Sequence, residues 1–308
     1  MAGARQHYIP AAVVGGFSET AAGPRRRRTG YARSIDRRTT RLTRAEDVAW
    51  AADLYTLKDP RELPPALVDN IWEGVEKKLP EAIEYLANES GDLRADIWMK
   101  VLVPYAAELF VRPLDFDETF SARFGEHAQL VDQISLVDNA KFARAINLQR
   151  MYYPVMDAYW VIVHNSSSLP FIINDCGMAI LKDEQQIAHY FLPLDRTVGV
   201  DLHIGPSGNG MYPREHPERI SGPKHRTVNS DEFVRTHNSL IYASAINEIY
   251  GPTKEVVEQA AALGDPLRQE VDASALPRNG QLLVHPGAWA RDHEMVYFGA
   301  LSMLEGNT

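Results

Sequence analysis

The sequence has only one cysteine, Cys176, among its 308 residues. A single cysteine excludes an intrachain disulfide framework and a cysteine-rich zinc site, and it fits a reducing compartment. The apolar runs, such as residues 159–163 and 172–181, are too short to span a bilayer. The N-terminus also lacks the basic and apolar stretches of a secretory signal. We therefore expect a cytoplasmic protein that does not enter a membrane.

Short catalytic motifs are also missing. Residues 205–210 are rich in glycine but lack the Gly-x-Gly-x-x-Gly order and a following helix. The His7–Pro10 stretch resembles the first half of an HNH nuclease, yet no Asn or His follows between residues 17 and 69 to complete that site. Cys176 lies next to an acid and not next to a base, which disfavours it as a nucleophile.

Positive charge is concentrated in one segment of an otherwise acidic sequence. The formal net charge is −9, yet residues 25–44, here called the arginine arm, hold nine arginines and one acid. The arm carries +8, so the remainder carries −17. A dense arginine block can dock a phosphate-rich partner. The alternative is a solvated arm whose arginines pair with the protein's own acidic residues.

The N-terminal part of the chain has mixed signals. Residues 6–17 are mostly apolar and fit either a buried strand or a short helix, because periodicity does not separate the two at this length. Residues 31–43 are rich in Arg and Thr, which predicts a surface strand or a hairpin. Residues 45–55, with Trp50, predict a short helix.

Helical patterns fill the middle of the chain. Residues 66–86 carry an apolar stripe at helical spacing, which Pro80 should kink or interrupt. Residues 92–111 form a second helical pattern, and Pro104 should bend or break it in the same way. Residues 120–151 predict a further helix.

Strand patterns come next. Residues 159–164 and 170–173 flank a serine-rich turn, which predicts a hairpin. Residues 187–192 and 198–204 predict two more strands, and residues 205–229 a long polar excursion.

Two helices are predicted beyond this excursion. The first covers residues 231–250, with Ser230 or Asp231 as its N-cap and Gly251 as its stop. The second runs from Thr253 through Leu263. The whole order predicts an α+β fold in which a helical middle segment packs on a small antiparallel sheet, with the N-terminal segment joining the core. We assign residues 1–252 to a single α+β domain and residues 253–308 to a C-terminal helix and loop-rich extension.

Several short motifs follow one another along the chain. They are Gln6-His7-Tyr8-Ile9-Pro10 leading to Phe17, Leu54-Tyr55, Val75-Glu76, Arg112-Pro113, Leu192-Pro193-Leu194, and a helix from Asn238 that ends in Ile249-Tyr250. In this order they resemble a bacterial family known as domain of unknown function 4238. The resemblance spans about residues 6–250.

The most specific motif of this resemblance is a strand end, Phe171-Ile172-Ile173-Asn174-Asp175-Cys176-Gly177. The family shows a Phe-Ile-Thr-Ser-Asp-Asn-Pro type of segment there. The aspartate is kept, whereas Asn174, Cys176 and Gly177 replace the usual Ser, Asn and Pro. The resemblance implies a shared fold family and the place of a site, and it implies no reaction.

His7 and Asp175 are the principal candidates for catalysis. A histidine ahead of a proline can act as a ligand or proton carrier, or it can be a buried residue bonded to the backbone. An aspartate at a strand end can hold a metal or act as a general base, or it can cap the turn. We expect the two side chains to meet in one solvent-open cleft.

Other polar residues complete the candidate site. We expect Asn238 to contribute an amide to the catalytic groups, and Gln6, Tyr8 and Arg112 to bind substrate. Arg112 has an alternative role, which is to neutralise Glu76 across the helical layer. A metal site from the histidine-rich stretch is also considered, with His203, His216, His225 and His237 as ligands.

The sequence thus leads to two hypotheses. The first is a hydrolase-type enzyme that acts on an anionic, phosphoester-containing substrate at a His/Asp cleft, with a divalent metal as an open option. The arginine arm would steer that substrate. The second is a non-catalytic binding protein whose arm docks nucleic acid or an acidic partner.

Overall fold

The computed structural model describes residues 5–20, 22–59, 63–88, 93–117, 136–182, 188–203 and 223–264. Within these ranges the chain has the α+β fold that the sequence predicts. The strands are β1 (Arg5–His7), β2 (Thr29–Ser34), β3 (Thr40–Arg44), β4 (Trp50–Ala52), β5 (Tyr159–Asn165), β6 (Ile173–Asn174), β7 (Ala179–Lys182), β8 (Ala188–Pro193), β9 (Val198–His203), β10 (Lys224–Val228) and β11 (Glu248–Gly251). The helices are α1 (Ala11–Val14), α2 (Asp69–Glu76), α3 (Leu79–Asn88), α4 (Ala95–Ile97), α5 (Val103–Leu109), α6 (Asn139–Met156), α7 (Asp231–Ala243) and α8 (Lys254–Leu263). His216, part of the predicted helix 120–151 and most of the C-terminal extension lie outside the described ranges.

The larger sheet has five strands in the order β10-β5-β9-β8-β7. Its pairs are antiparallel except β10 with β5, which is parallel. One face lies on the helical layer, where Trp160 contacts Trp98 edge-on at 6.5 Å between ring centroids and Tyr190 contacts Phe110 at 5.0 Å. These aromatic contacts fix the sheet against the helices.

A second sheet has four antiparallel strands in the order β3-β2-β11-β6, and β1 pairs with β4 in a separate two-stranded ribbon. The β2–β3 pair confirms the hairpin predicted for the arginine arm. Strand β11 lies between β2 and β6, and it thereby joins the N-terminal hairpin to the later half of the chain.

Prolines divide the helical layer where the sequence predicts it. The stripe over 66–86 forms two helices, α2 and α3, and Pro80 lies in the first turn of α3. A π turn over Trp98–Leu102 precedes α5, and Pro104 lies in its first turn. Both prolines therefore occupy positions where a missing backbone N–H is tolerated. None of the helices in the described ranges is long and apolar enough to cross a membrane.

Side-chain caps define the later helices. Ser230 accepts a hydrogen bond from the Phe233 amide at the start of α7, and Thr253 accepts one from Val256 at the start of α8. Ser230 is one of the two N-caps that the sequence predicts, and the predicted start of the last helix near Thr253 is confirmed. Helix α8 packs against α7 and β2.

Four sequence predictions are wrong. Residues 224–228, which the sequence assigns to a polar excursion, form β10 and pair with β5. Residues 50–52 form β4 and no helix, because they pair with β1. Ala49 and Asp53 on either side of β4 have positive φ angles of 54° and 53°. Strand β5 pairs with β9 and β10, so residues 159–164 and 170–173 form no hairpin. The helix predicted over 231–250 ends at Ala243, because residues 248–251 pair with β2 and β6 as β11. In the last two cases pairing with distant strands overrides the local pattern.

Candidate functional site

Gln6 and His7 belong to β1, which pairs with β4. His7 pairs with Trp50 of β4, and the next amide, that of Tyr8, donates to the Ala49 carbonyl at 3.0 Å. The buried Gln6 amide bridges to the following loop: its Oε1 accepts from the Tyr55 N–H at 2.6 Å. Its Nε2 donates to Thr56 Oγ1 at 3.1 Å. Gln6 thus fixes His7 relative to Tyr55.

Arg112 lies beneath this segment and is fully buried. Its guanidinium donates to Glu76 Oε1 at 2.6 Å, to Glu108 Oε2 at 3.2 Å and to the His7 carbonyl at 2.5 Å. The face of the guanidinium lies 5.2 Å from the centre of the Trp72 ring. The alternative prediction that Arg112 neutralises Glu76 is confirmed.

The two carboxylates around Arg112 have different environments. The Glu108 side chain is 1% exposed, whereas that of Glu76 is 33% exposed. Burial raises the pKa of Glu108 to about 8, although Arg112 acts in the opposite direction. Burial would also lower the pKa of Arg112, but Tyr55 and both carboxylates raise it overall. Arg112 therefore remains charged, and Glu76 is the carboxylate that solvent reaches.

Three buried polar atoms near Arg112 make no hydrogen bond with any residue in the described ranges. They are His7 Nδ1, Trp72 Nε1 and the Tyr105 hydroxyl. Arg112, Glu108 and Glu76 all influence the pKa of Tyr105, which burial raises. Burial lowers the pKa of His7, while Glu76 raises it. We call this group the Arg112 cluster; its members are His7, Tyr55, Trp72, Glu76, Tyr105, Glu108 and Arg112.

Arg144 holds the chain on both sides of Arg112. This fully buried side chain of α6 donates to the carbonyls of Val111 at 2.5 Å and Pro113 at 3.1 Å, and to Asp117 at 2.9 Å. The Tyr55 hydroxyl donates to the Arg112 carbonyl at 3.1 Å. The backbone of Arg112 is thus fixed from two directions.

Asp175 belongs to a different network. Its carboxylate oxygens accept hydrogen bonds from the amides of Ile246 at 2.8 Å and Asn247 at 2.7 Å. Burial raises the pKa of Asp175 to about 7, whereas these two amides act in the opposite direction. The carboxylate joins the end of β6 to the chain that leads into β11.

Asn238 has a similar bridging position on α7. Its Oδ1 accepts from the Ile172 amide at 3.2 Å, and its Nδ2 donates to the Pro170 carbonyl at 2.9 Å. Asn174, next to Asp175, donates to the carbonyls of Met178 and Ile241, both at 2.8 Å. The side chains of Asn238 and Asn174 thus fix the chain that leads into β6, and the turn that follows β6, against α7.

The structure therefore brings some of the predicted site residues together and separates others. Gln6, His7 and Arg112 meet around the Arg112 cluster. Across the described chain, no hydrogen bond or ion pair joins His7 to Asp175 or Asn238. Tyr8 is buried on the side of Asp175: burial raises the pKa of its hydroxyl, and Asp175 and Glu248 raise it further. Whether Asp175 and Asn238 take part in catalysis stays a prediction.

Trp72, Tyr105 and Glu108 are the members of the cluster that sequence reasoning does not find. A signal for them exists in the helical spacing. Trp72 lies four residues before Glu76 on α2, and Glu108 of α5 lies four residues before Arg112, so the members of each pair are about one helical turn apart. The spacing alone does not show that the two helices face each other.

Three of the four histidines considered for a metal site lie in the described ranges, and each is on a different element. His203 is on β9, His225 is on β10 beside His164 at 2.9 Å between ring nitrogens, and His237 is on α7. In the part of the chain that the structure covers, no group of three or more His, Cys, Asp or Glu side chains could hold a metal ion.

The arginine arm is partly paired. Arg25, Arg41 and Arg44 form ion pairs with Asp195, Glu248 and Glu46 at 3.6, 2.7 and 3.7 Å. Arg28 and Arg33 donate to oxygen atoms of Gly23 and Thr40. The side chains of four exposed arginines make no hydrogen bond or ion pair with a described residue; they are Arg26, Arg27, Arg37 and Arg38.

Comparisons with known proteins do not extend this picture. No protein-family model matches the chain, no curated protein matches it, and no solved structure matches it. The resemblance to domain of unknown function 4238 is neither supported nor ruled out by these comparisons, and it stays a prediction.

Proposed function

We propose that the chain is a hydrolase-type enzyme and that the Arg112 cluster is its site. The observation that carries this proposal is the set of three unpartnered buried atoms on His7, Trp72 and Tyr105. A buried polar group without a partner costs about 1–3 kcal/mol, so each of these groups calls for an explanation, and a bound ligand is the one that we propose. A polar substrate or water that enters beside the partly exposed Glu76 would satisfy them.

His7 is suited to act as a general base. Burial lowers its pKa, so the imidazole is neutral near pH 7, and Nδ1 makes no hydrogen bond with a described residue. A neutral ring nitrogen without a partner can accept a proton. Glu76 raises the pKa of His7 and would stabilise the imidazolium that forms. The Trp72 N–H and the Tyr105 hydroxyl are then donors for the charge that develops on a substrate oxygen.

A phosphoester is the substrate class that we propose. A water oxygen bonds to phosphorus while the water's proton moves to His7 Nδ1. The P–O ester bond breaks, and the leaving oxygen keeps the electron pair and takes the proton back from His7. Because Glu76 already neutralises Arg112, long-range attraction of the anion comes from the exposed arginines of the arm.

The test is turnover of a panel of phosphomonoesters and phosphodiesters. His7→Gln should lower kcat/KM by about 100- to 10,000-fold, as expected for loss of a general base. His225→Gln is the matched control, because it makes the same change at a histidine outside the cluster. Equal activity of the two variants, or no turnover by the wild-type protein on any ester, would reject the proposal.

A second candidate function is docking of nucleic acid by the arginine arm. The four exposed arginines without ion pairs favour it. Replacing all four with glutamine should reduce the salt dependence of DNA binding, with the slope of log K against log salt falling by about 3 to 4. An unchanged slope excludes this role, and retention of an acidic protein without DNA binding assigns the arm to a protein partner.

A further inference from the structure

Three arginines converge at the end of β8, away from the Arg112 cluster. Arg25 approaches Asp195 with 3.6 Å between Nη2 and Oδ2. Arg196, the next residue, donates from Nη1 to the Glu19 carbonyl at 3.0 Å. Arg28 lies one turn after Arg25, and its Nε donates to the Gly23 carbonyl at 3.2 Å. Arg25 contacts the half-buried Asp195 carboxylate, and Arg25, Asp195 and Arg196 all act on the pKa of Arg28. The loops before β2 and after β8 thus bring the three guanidinium groups near one another.

Most of the donors in this group have no acceptor among the residues that the structure describes. Arg25 Nη1 is buried and makes no hydrogen bond with a described residue. Arg28 donates only through Nε and Arg196 only through Nη1, so their remaining N–H groups are free of any partner in the described ranges. Burial lowers the pKa of Arg28, and the neighbouring Arg25 and Arg196 lower it further. Three cations against Asp195 leave a local charge of +2, which the exposed Glu84 offsets only weakly because solvent screens it.

The backbone beneath these arginines is closely packed. A Cβ at Gly15 would lie 1.9 Å from the Arg25 carbonyl oxygen. A Cβ at Gly16 would lie 3.1 Å from Arg25 Nη1 and 3.2 Å from Asp195 Oδ2. Only glycine allows this approach, so Gly15-Gly16 holds Arg25 in place before any ligand arrives. A preformed group of donors loses less entropy on binding than a mobile one.

We propose that Arg25, Arg28 and Arg196 form a binding site for a tetrahedral oxyanion of the phosphate type. Guanidinium forks match the oxygens of such an anion in pairs. A dianion matches the local charge, and it supplies the acceptors that the free N–H groups lack. The site accepts inorganic phosphate or the phosphate group of a larger molecule, and it is separate from the Arg112 cluster.

Calorimetric titration with inorganic phosphate at low ionic strength tests this site. Arg28→Gln and Arg196→Gln should each weaken phosphate binding by about tenfold or more, because each removes charge-assisted hydrogen bonds. Arg37→Gln is the matched control: it removes the same charge from an exposed arginine of the arm and should change binding by less than about twofold. His7→Gln should leave this binding intact, which separates the site from the proposed hydrolase.

Lysine variants address the possibility that a glutamine variant fails to fold. Arg28→Lys and Arg196→Lys keep the charge but lose the planar fork, so phosphate should bind several-fold more weakly at unchanged unfolding temperature. Absence of phosphate binding by the wild-type protein overturns the proposal. Equal weakening by Arg37→Gln, or loss of binding in His7→Gln, overturns it as well. Titration with a phosphomonoester and with glycerol then shows whether the phosphate group alone is recognised.

Discussion

At the scale of single residues, the surroundings of each carboxylate decide what it can do. Asp175 has both oxygens occupied by backbone amides that belong to another segment. Glu76 binds Arg112 through one oxygen and is partly open to solvent. The first arrangement stabilises a chain connection, and the second leaves a partly exposed carboxylate that acts on the pKa of His7. Substitutions of these two acids should therefore have different effects.

Removal of the Asp175 carboxylate should destabilise the fold. Asp175→Ala leaves the amides of Ile246 and Asn247 buried without an acceptor, so the free energy of unfolding should fall by about 2–4 kcal/mol. Asp175→Asn keeps one acceptor oxygen and should cost about half as much. Urea denaturation measures both. If Asp175→Asn abolished ester hydrolysis at unchanged stability, a catalytic aspartate would be the better description.

Loss of the Arg112 guanidinium should destabilise the fold more than loss of the Asp175 carboxylate. Arg112→Met leaves Glu108 as a buried carboxylate without its partner, which should lower the free energy of unfolding by about 3–5 kcal/mol. Lys77→Met is the comparison, since Lys77 forms an exposed ion pair with Glu73 at 2.7 Å. That exposed pair should contribute less than about 1 kcal/mol. Equal effects of the two substitutions would contradict the assigned role of Arg112.

At the scale of elements, the turn between β6 and β7 depends on a glycine. Gly177 has a φ of +73°, and a Cβ there would lie 2.6 Å from Leu109 Cδ2 and 2.8 Å from Ile9 Cδ1. Gly177→Ala should therefore destabilise the protein by about 1–3 kcal/mol through backbone strain and overpacking.

Gly74 supplies the control for this substitution. It lies in α2, and nothing approaches within 4 Å of a Cβ built there. Gly74→Ala should stabilise the protein by about 0.5–1 kcal/mol, because alanine is the better helix former. Thermal denaturation of both variants should give shifts of opposite sign. A stabilising Gly177→Ala would mean that the turn adopts another conformation in solution.

The elements also show what the sequence can predict. Patterns with a local cause are correct: Pro80 separates α2 from α3, and Ser230 caps α7. Strand β4 and strand β11 are missed, because their partners β1, β2 and β6 are far away in the chain. The same reason explains why the sequence finds some residues of the site and misses others. His7, Glu76 and Arg112 stand in sequence motifs, whereas Trp72, Tyr105 and Glu108 become recognisable only once α2 and α5 are placed together.

At the scale of the whole molecule, His237 couples stability to pH. It lies between α7 and the five-stranded sheet, 4.7 Å from the Phe191 ring centroid and hydrogen-bonded through Nδ1 to the Phe233 carbonyl at 2.8 Å. Burial lowers its pKa from 6.5 to about 4. Because the folded state favours the neutral ring, the stability that His237 contributes is present above pH 6.5. It is lost as pH falls through about 4.

The difference between the ordinary pKa of His237 and its pKa in the folded protein sets the size of this pH effect. Across that whole pH range the free energy of unfolding should fall by about 3 kcal/mol. Urea denaturation between pH 7 and pH 4 should show a free energy of unfolding that declines with falling pH. His237→Gln removes the titrating group and should flatten that decline. An equally steep decline in the variant would assign the pH dependence to other groups.

The central position of β11 has a consequence for folding during translation. The Ser18 and Tyr250 side chains meet at 2.9 Å although 232 positions separate them, and β11 is the strand that joins β2 to β6. While a ribosome is still translating the middle of the gene, β2 therefore has no partner on its inner edge. An open strand edge invites pairing with other chains, and closing so long a loop slows folding. The nascent chain completes this sheet only after β11 has left the ribosome, so the unpaired edge of β2 is open to aggregation and to chaperones until that point.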